Sequence, residues 1–181
     1  VPTGLRGVLE RAAANIRGFH IQQRPRPFRW GRCVQQIVPL DAAGVYAPGG
    51  RAAYPSTVLM TAIPASVAGV RRICVATPPD AEGRVLPAIA LAARLAGATD
   101  LFRMGGAQAI GALAYGCGSV PAVDVIAGPG NAWVAAAKRA AGSLKLLLEK
   151  FPQYFRFRYD QPQGVVELVG HKGPAAAAAG A

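Results

Sequence analysis

Between Gly44 and Ala141 the chain repeats one pattern four times: a short apolar run, a turn, then an apolar segment of helical length. "GVYA" runs through "PGG" to "TVLMTAIPASVA", and "RRICVAT" runs through "PPDAEG" to "RVLPAIALAARLAG". "TDLFRM" leads directly into "GGAQAIGALAYG", and "AVDVIA" leads through "GPG" to "NAWVAAAKRAAG". Strands alternating with helices in this way specify β-α-β units on a parallel sheet. The strand runs are continuously apolar, as required when both sheet faces are covered, and right-handed crossovers put the helices on those faces. Ser56 is expected to cap the first of these helices, Pro64 to kink or divide it, and Asn131 to cap the last.

Outside the repeat, Leu5 to Gln23 reads as a helix with Leu5, Val8, Leu9, Ala12, Ile16 and Phe19 on one face. "RPRPFRW" ends it, because Pro25 and Pro27 cannot continue a helix, and Cys33 to Leu40 follows as a short strand or edge segment. Beyond Ala141, "SLKLLLEK" can extend the last helix. "FPQYFRFRYDQPQGVVELVG" then alternates, turns and resumes in the manner of a hairpin, before the low-complexity "HKGPAAAAAGA", expected to be disordered. The expected division is residues 1–43 as helix and connector, 44–145 as the α/β lobe and 146–181 as a tail.

Charge needs interpretation because the balance is +11 and seven arginines (Arg6, Arg11, Arg17, Arg24, Arg26, Arg29, Arg32) stand among the first 32 residues against Glu10. No nucleic-acid motif accompanies them, and Phe19, Phe28 and Trp30 do not repeat as a stacking platform, so nucleic acid is not an expected partner. No apolar run reaches the ~18–20 residues of a membrane span, and no signal pattern opens the chain. No membrane partner is expected, and a cytoplasmic location is. Cys33, Cys74 and Cys117 are widely spaced without a CxxC pair, which fits reduced, buried thiols.

In open α/β sheets ligands bind beyond the carboxyl ends of the strands. Three of the four strand ends here carry "APGG", "GGAQ" and "GPGN". Glycine lets backbone approach a ligand, and a helix N-terminus offers unpaired N–H groups to an anion. Each such turn alone is commonly structural; three on one rim point to a nucleotide or phosphate site. Tyr46 can offer a ring and hydroxyl there, and Gln108 and Asn131 their carboxamides. Neither G-x-G-x-x-G with a later acid nor G-x-x-x-x-G-K-[ST] is present, so the standard dinucleotide and P-loop fingerprints are missing.

Catalytic groups are scarce. His20 and His171 lie outside the repeat, no metal-ligand spacing occurs, and no carboxylates pair closely. Asp80, Glu82, Asp100 and Asp124 read as solvated or capping groups, with Asp100 and Asp124 at the edge opposite the crevice. No catalytic and no metal residue is assigned. A non-catalytic nucleotide-binding or assembly module is the alternative to an enzyme part.

Together, "GVYAPGG", "STVLMTAIPASVAGV", "DLFRMGGAQAIGALAYG" and "VDVIAGPGNAWVAAAKR" closely resemble histidinol dehydrogenase, in order and spacing, over residues 1–141. The resemblance implies an incomplete Rossmann-like α/β lobe, its parallel sheet covered by helices on both faces and preceded by an N-terminal helix. It also implies a zinc- and NAD-dependent homodimer that oxidises L-histidinol to L-histidine in histidine biosynthesis. The family's NAD contacts fall on Tyr46, Gln108 and Asn131. Its zinc ligands and Glu-His acid-base pair belong to a later part that this sequence does not match, since residues 142–181 follow no family motif. A frameshifted or truncated frame would produce such an end, and the expected activity of the chain alone is at most NAD binding.

Overall fold

The computed structural model describes residues 1–49, 54–130 and 132–141, together with the backbone of 155–158 and 165–168. Helix α1 (Thr3–Gln23) leads to a small hairpin of β1 (Phe28–Trp30) and β2 (Cys33–Gln35), paired antiparallel around Gly31. The repeat then supplies β3 (Ala42–Tyr46), α2 (Pro55–Ala68), β4 (Arg72–Thr77), α3 (Pro87–Ala96), β5 (Asp100–Arg103), α4 (Gly106–Tyr115), β6 (Val125–Ala127) and α5 (Ala132–Ala140). Strands β7 (Phe155–Arg158) and β8 (Val165–Leu168) form an antiparallel hairpin, and β8 pairs with β2. The expected helical extension through "SLKLLLEK" and the terminal "HKGPAAAAAGA" lie outside the described residues.

The main sheet is parallel, in the order β5-β4-β3-β6. The chain steps outward from β3 to β4 and β5, then returns across β3 to lay down β6. That reversal puts α2 and α3 on one face and α4 and α5 on the other. Val45, Ile73 and Val75 meet Leu59, Ile63 and Ile89 on the first face, where Leu9 and Ala13 of α1 join them. Tyr46, Cys74 and Ala76 meet Ile110, Leu113 and Val134 on the second. Alternate strand residues thus feed opposite cores, which is why the strands carry no polar alternation.

Several local expectations are corrected. Tyr54 takes the N-cap of α2 and Pro55 its first position, where a fixed φ and a missing N–H cost nothing; Ser56 makes no cap bond. Pro64 neither divides nor ends α2. The carbonyl it leaves without a helical donor is that of Met60, an exposed residue that water can reach. On α1 the inward stripe is Leu9, Ala12, Ala13 and Ile16, whereas Leu5, Val8 and Phe19 are exposed. Val8 sits ~100° around the helix from Leu9, off the line of contact. Of the cysteines only Cys74 is buried; Cys33 opens the short hairpin strand β2, and Cys117 lies in a tight turn bridged to Val120.

The entry edge of the sheet is held by carboxylates. Asp124 Oδ2 accepts from the Asp41 and Ala42 N–H groups, both at 2.9 Å, joining the start of β3 to the approach of β6. Asp100 accepts from Arg72 at 3.0 and 3.3 Å and from the Thr99 hydroxyl at 2.8 Å. Burial, reinforced by the Asp100 charge, pushes the Cys74 thiol up to about 11, so it stays protonated. Arg17, one of the crowded N-terminal arginines, donates to Ser66 Oγ and the Leu95 carbonyl near the ends of α2 and α3. Cations there complement the helix dipoles.

Removing the Asp124 carboxylate orphans two backbone donors. Asp124→Ala is expected to destabilise the chain by about 1–3 kcal/mol, read from urea unfolding midpoints. The Arg72 hydrogen bonds hold the Asp100 carboxyl below its ordinary value. Its stabilising contribution is therefore complete above an unfolded-state pKa of ~4 and is lost as pH falls through the lower folded-state value. Asp100→Asn should lower stability at neutral pH and converge with the parent chain in acid, measured by urea unfolding across that range.

Candidate functional site

The carboxyl ends of the four parallel strands form the opposite edge, and their turns come together there. In register, Tyr46 stands beside Ala76, Thr77 beside Arg103 and Val45 beside Ala127. The turns that follow therefore leave the sheet at one level. Asp80, in the loop after β4, accepts from the Glu82 and Arg84 N–H groups and from the Arg84 guanidinium. It shapes its own loop, as the sequence implied, and the Arg84 backbone bond holds its carboxyl below the usual range.

Tyr46 ends β3, the strand at which the winding reverses. Its side chain is 4% exposed, packed in the core beneath α4 and α5. Its hydroxyl accepts a hydrogen bond from the Gly106 N–H at 3.1 Å, so it satisfies one of the donors that a helix start leaves unpaired. Gly105 is the N-cap of α4, and Gly106 has φ +68°, a left-handed conformation that a side chain rarely adopts. Gln108 is exposed in the first turn of α4; its Oε1 lies over Gly106, 2.6 Å from where a Cβ would stand.

Gly128 follows β6 with φ +130°. A Cβ there would overlap the carbonyl oxygen of Tyr46, so the β6–α5 turn rests directly on the end of β3. The Gly128 carbonyl in turn accepts from the ammonium of Lys138. Lys138 is 4% exposed, and burial lowers its pKa. Sequence reasoning passed over this residue. The available signal was a lysine four residues after Val134, on the stripe that α5 turns toward the sheet.

The structure thus brings Tyr46 to the rim beside Gly106, two residues from Gln108. Asn131 lies outside the described residues, although both its neighbours, Gly130 and Ala132, are described. Among the described residues no three His, Cys, Asp or Glu side chains gather as a metal-ion set, so these residues do not fit zinc. Among them, too, no helix is long and apolar enough to cross a membrane.

Comparison with known proteins agrees with this architecture. The family model for histidinol dehydrogenase matches residues 1–145. The chain is 53% identical over 143 residues to a histidinol dehydrogenase of Caulobacter vibrioides, covering 76% of this chain and 33% of that one. It is 54% identical over 136 residues to that of Methanosarcina barkeri, covering 72% and 31%. The crystal structure of histidinol dehydrogenase from Elizabethkingia anophelis superposes with a TM-score of 0.74 at 35% identity, over 84% of this chain and 37% of that one. The chain spans about a third of the length of the curated relatives it matches. With its incomplete Rossmann-like sheet, helices on both faces and N-terminal helix, the chain belongs to the histidinol dehydrogenase family.

Proposed function

We propose that residues 44–145 are the NAD-binding lobe of a histidinol dehydrogenase, a cytoplasmic homodimer that oxidises L-histidinol to L-histidine. The observation that carries this reading is the meeting of the end of β3 with the turns after β5 and β6, through Tyr46, Gly106 and Gly128, at the carboxyl edge of the sheet. A dinucleotide suits this edge because the glycines let its turns close against one another and the first turn of α4 presents N–H groups. Bound there, the cofactor supplies a hydride acceptor.

The lobe's own residues bind and orient. Tyr46 accepts from the Gly106 amide and so holds the start of α4 at a fixed height, while its own O–H is left to donate. Gln108, exposed in the first turn of α4, turns its carboxamide toward a ribose or phosphate, and the family resemblance assigns a second cofactor contact to Asn131. Zinc in this family serves the substrate, and no step through zinc is assigned to this lobe, whose described residues hold no ligand set. The described residues likewise contain no acid-base pair placed at the rim, and general acid-base work needs a group within hydrogen-bond reach of the proton moved.

Calorimetric titration of the purified 181-residue chain with NAD⁺ should give saturable binding, and Tyr46→Phe should weaken it several-fold, the effect of losing one hydrogen bond of about 1 kcal/mol. Absence of binding to the folded chain would sink the reading. Mixed with zinc, L-histidinol and NAD⁺, the chain alone is expected to accumulate no NADH; steady accumulation above a blank would show that it holds acid-base groups not assigned to it.

A further inference from the structure

One buried charge takes no part in the reading above. Lys138 sits on the second turn of α5 at 4% exposure, and its ammonium donates to the Gly128 carbonyl. Among the described residues no carboxylate pairs with it, and burial alone lowers its pKa. A buried ammonium bonded to a neutral carbonyl is costly, and a methionine would fill the same space without that cost. Its placement suggests what the charge does. Gly128 has no room for a Cβ against the Tyr46 carbonyl, so a bond that fixes Gly128 also fixes its contact with the end of β3. The Tyr46 hydroxyl then meets the Gly106 N–H at the start of α4. Lys138, Gly128, Tyr46 and Gly106 form one continuous line across the sheet edge, from α5 to the N-terminus of α4.

We propose that Lys138 is a positioning residue for the dinucleotide: it holds the β6–α5 turn down on β3 and, through Tyr46, sets the first amide of α4. The role rests on the NAD-binding reading of the same edge, but the coupling along the line has a signature of its own. Lys138 does not touch Gly106, so a prop acting only on its own helix has no reason to alter that amide.

The test replaces Lys138 by methionine, which keeps the stem and removes the charge. In the folded Lys138→Met chain the Gly106 amide resonance is expected to move, and NAD⁺ affinity to fall roughly tenfold, as for loss of one charge-assisted hydrogen bond. Combined with Tyr46→Phe, the loss should be smaller than the product of the separate losses, because both act on one line. A lower melting temperature with an unmoved Gly106 amide and unchanged affinity would overturn the proposal. If the variant does not fold, the Lys145→Arg, Lys150→Arg, Lys172→Arg chain leaves Lys138 as the sole lysine. Its ammonium signal should then shift during NAD⁺ titration in step with the Gly106 amide; a fixed ammonium signal while that amide moves refutes the coupling. Failure of the parent chain to bind NAD⁺ would instead remove the dinucleotide reading, and the ligand-free Gly106 shift in Lys138→Met would still decide the line itself.

Discussion

The seating of Gly128 on the backbone of Tyr46 is the contact on which the carboxyl edge depends. It arises from the order of winding: β3 is laid down first and β6 returns to its free side, so two strands far apart in sequence finish side by side. With no side chain at Gly128, the turn after β6 can close over β3; any Cβ would lift it away. Gly44, two residues earlier on the same face as Tyr46, makes the same kind of room beneath. A Cβ there would stand 3.0–3.3 Å from Val123, Ile126 and Leu113, so its absence lets the core under α4 close. Small residues on one face of the central strand thus decide how near the second layer comes, and that distance lets the Tyr46 hydroxyl reach α4.

The two edges of the sheet divide polar work according to chemistry. At the entry edge the donors are backbone N–H groups and Arg72, and they are met by Asp124 and Asp100. At the exit edge the donors at the start of α4 meet a phenol, and the buried cation meets a carbonyl. At these two points neutral acceptors leave the positive end of α4 uncompensated by charge. The carboxylates on this edge, Asp80 and Glu82, are engaged within the β4–α3 loop. Carboxylates in the same positions would make a firmer scaffold and a poorer site.

The α/β repeat was legible because strands buried on both faces leave an unbroken apolar signature, and because glycine and proline stand where the chain must turn. What escaped notice was set by short-range competition or by tertiary contact. Pro25, Pro27 and the arginines around them hide a hairpin whose strands are three residues each, too short for alternation to register. At α2 two start signals were adjacent, and the fixed φ of Pro55 took precedence over the hydroxyl of Ser56. Tyr46 stands at the expected edge, and what only tertiary contact reveals is the Gly106 N–H that its hydroxyl accepts at 3.1 Å. Lys138 escaped because a lysine in an alanine-rich helix usually faces water; only the packing of Val134 and Ala141 on the same stripe brings it inside.

A single glycine-rich loop can grip a diphosphate because its amides are covalent neighbours and share one conformation. Here the expected contacts come from turns separated by long stretches of chain, so their relative placement must be built by packing. Each independently mobile turn would have to be ordered when ligand arrives, and that ordering subtracts from affinity. The line from Gly128 through Tyr46 to Gly106 removes much of this cost in advance, because the turns are already tied before anything binds. A buried lysine that strengthens the tie trades folding stability for preorganisation, the exchange on which the proposed dinucleotide edge depends.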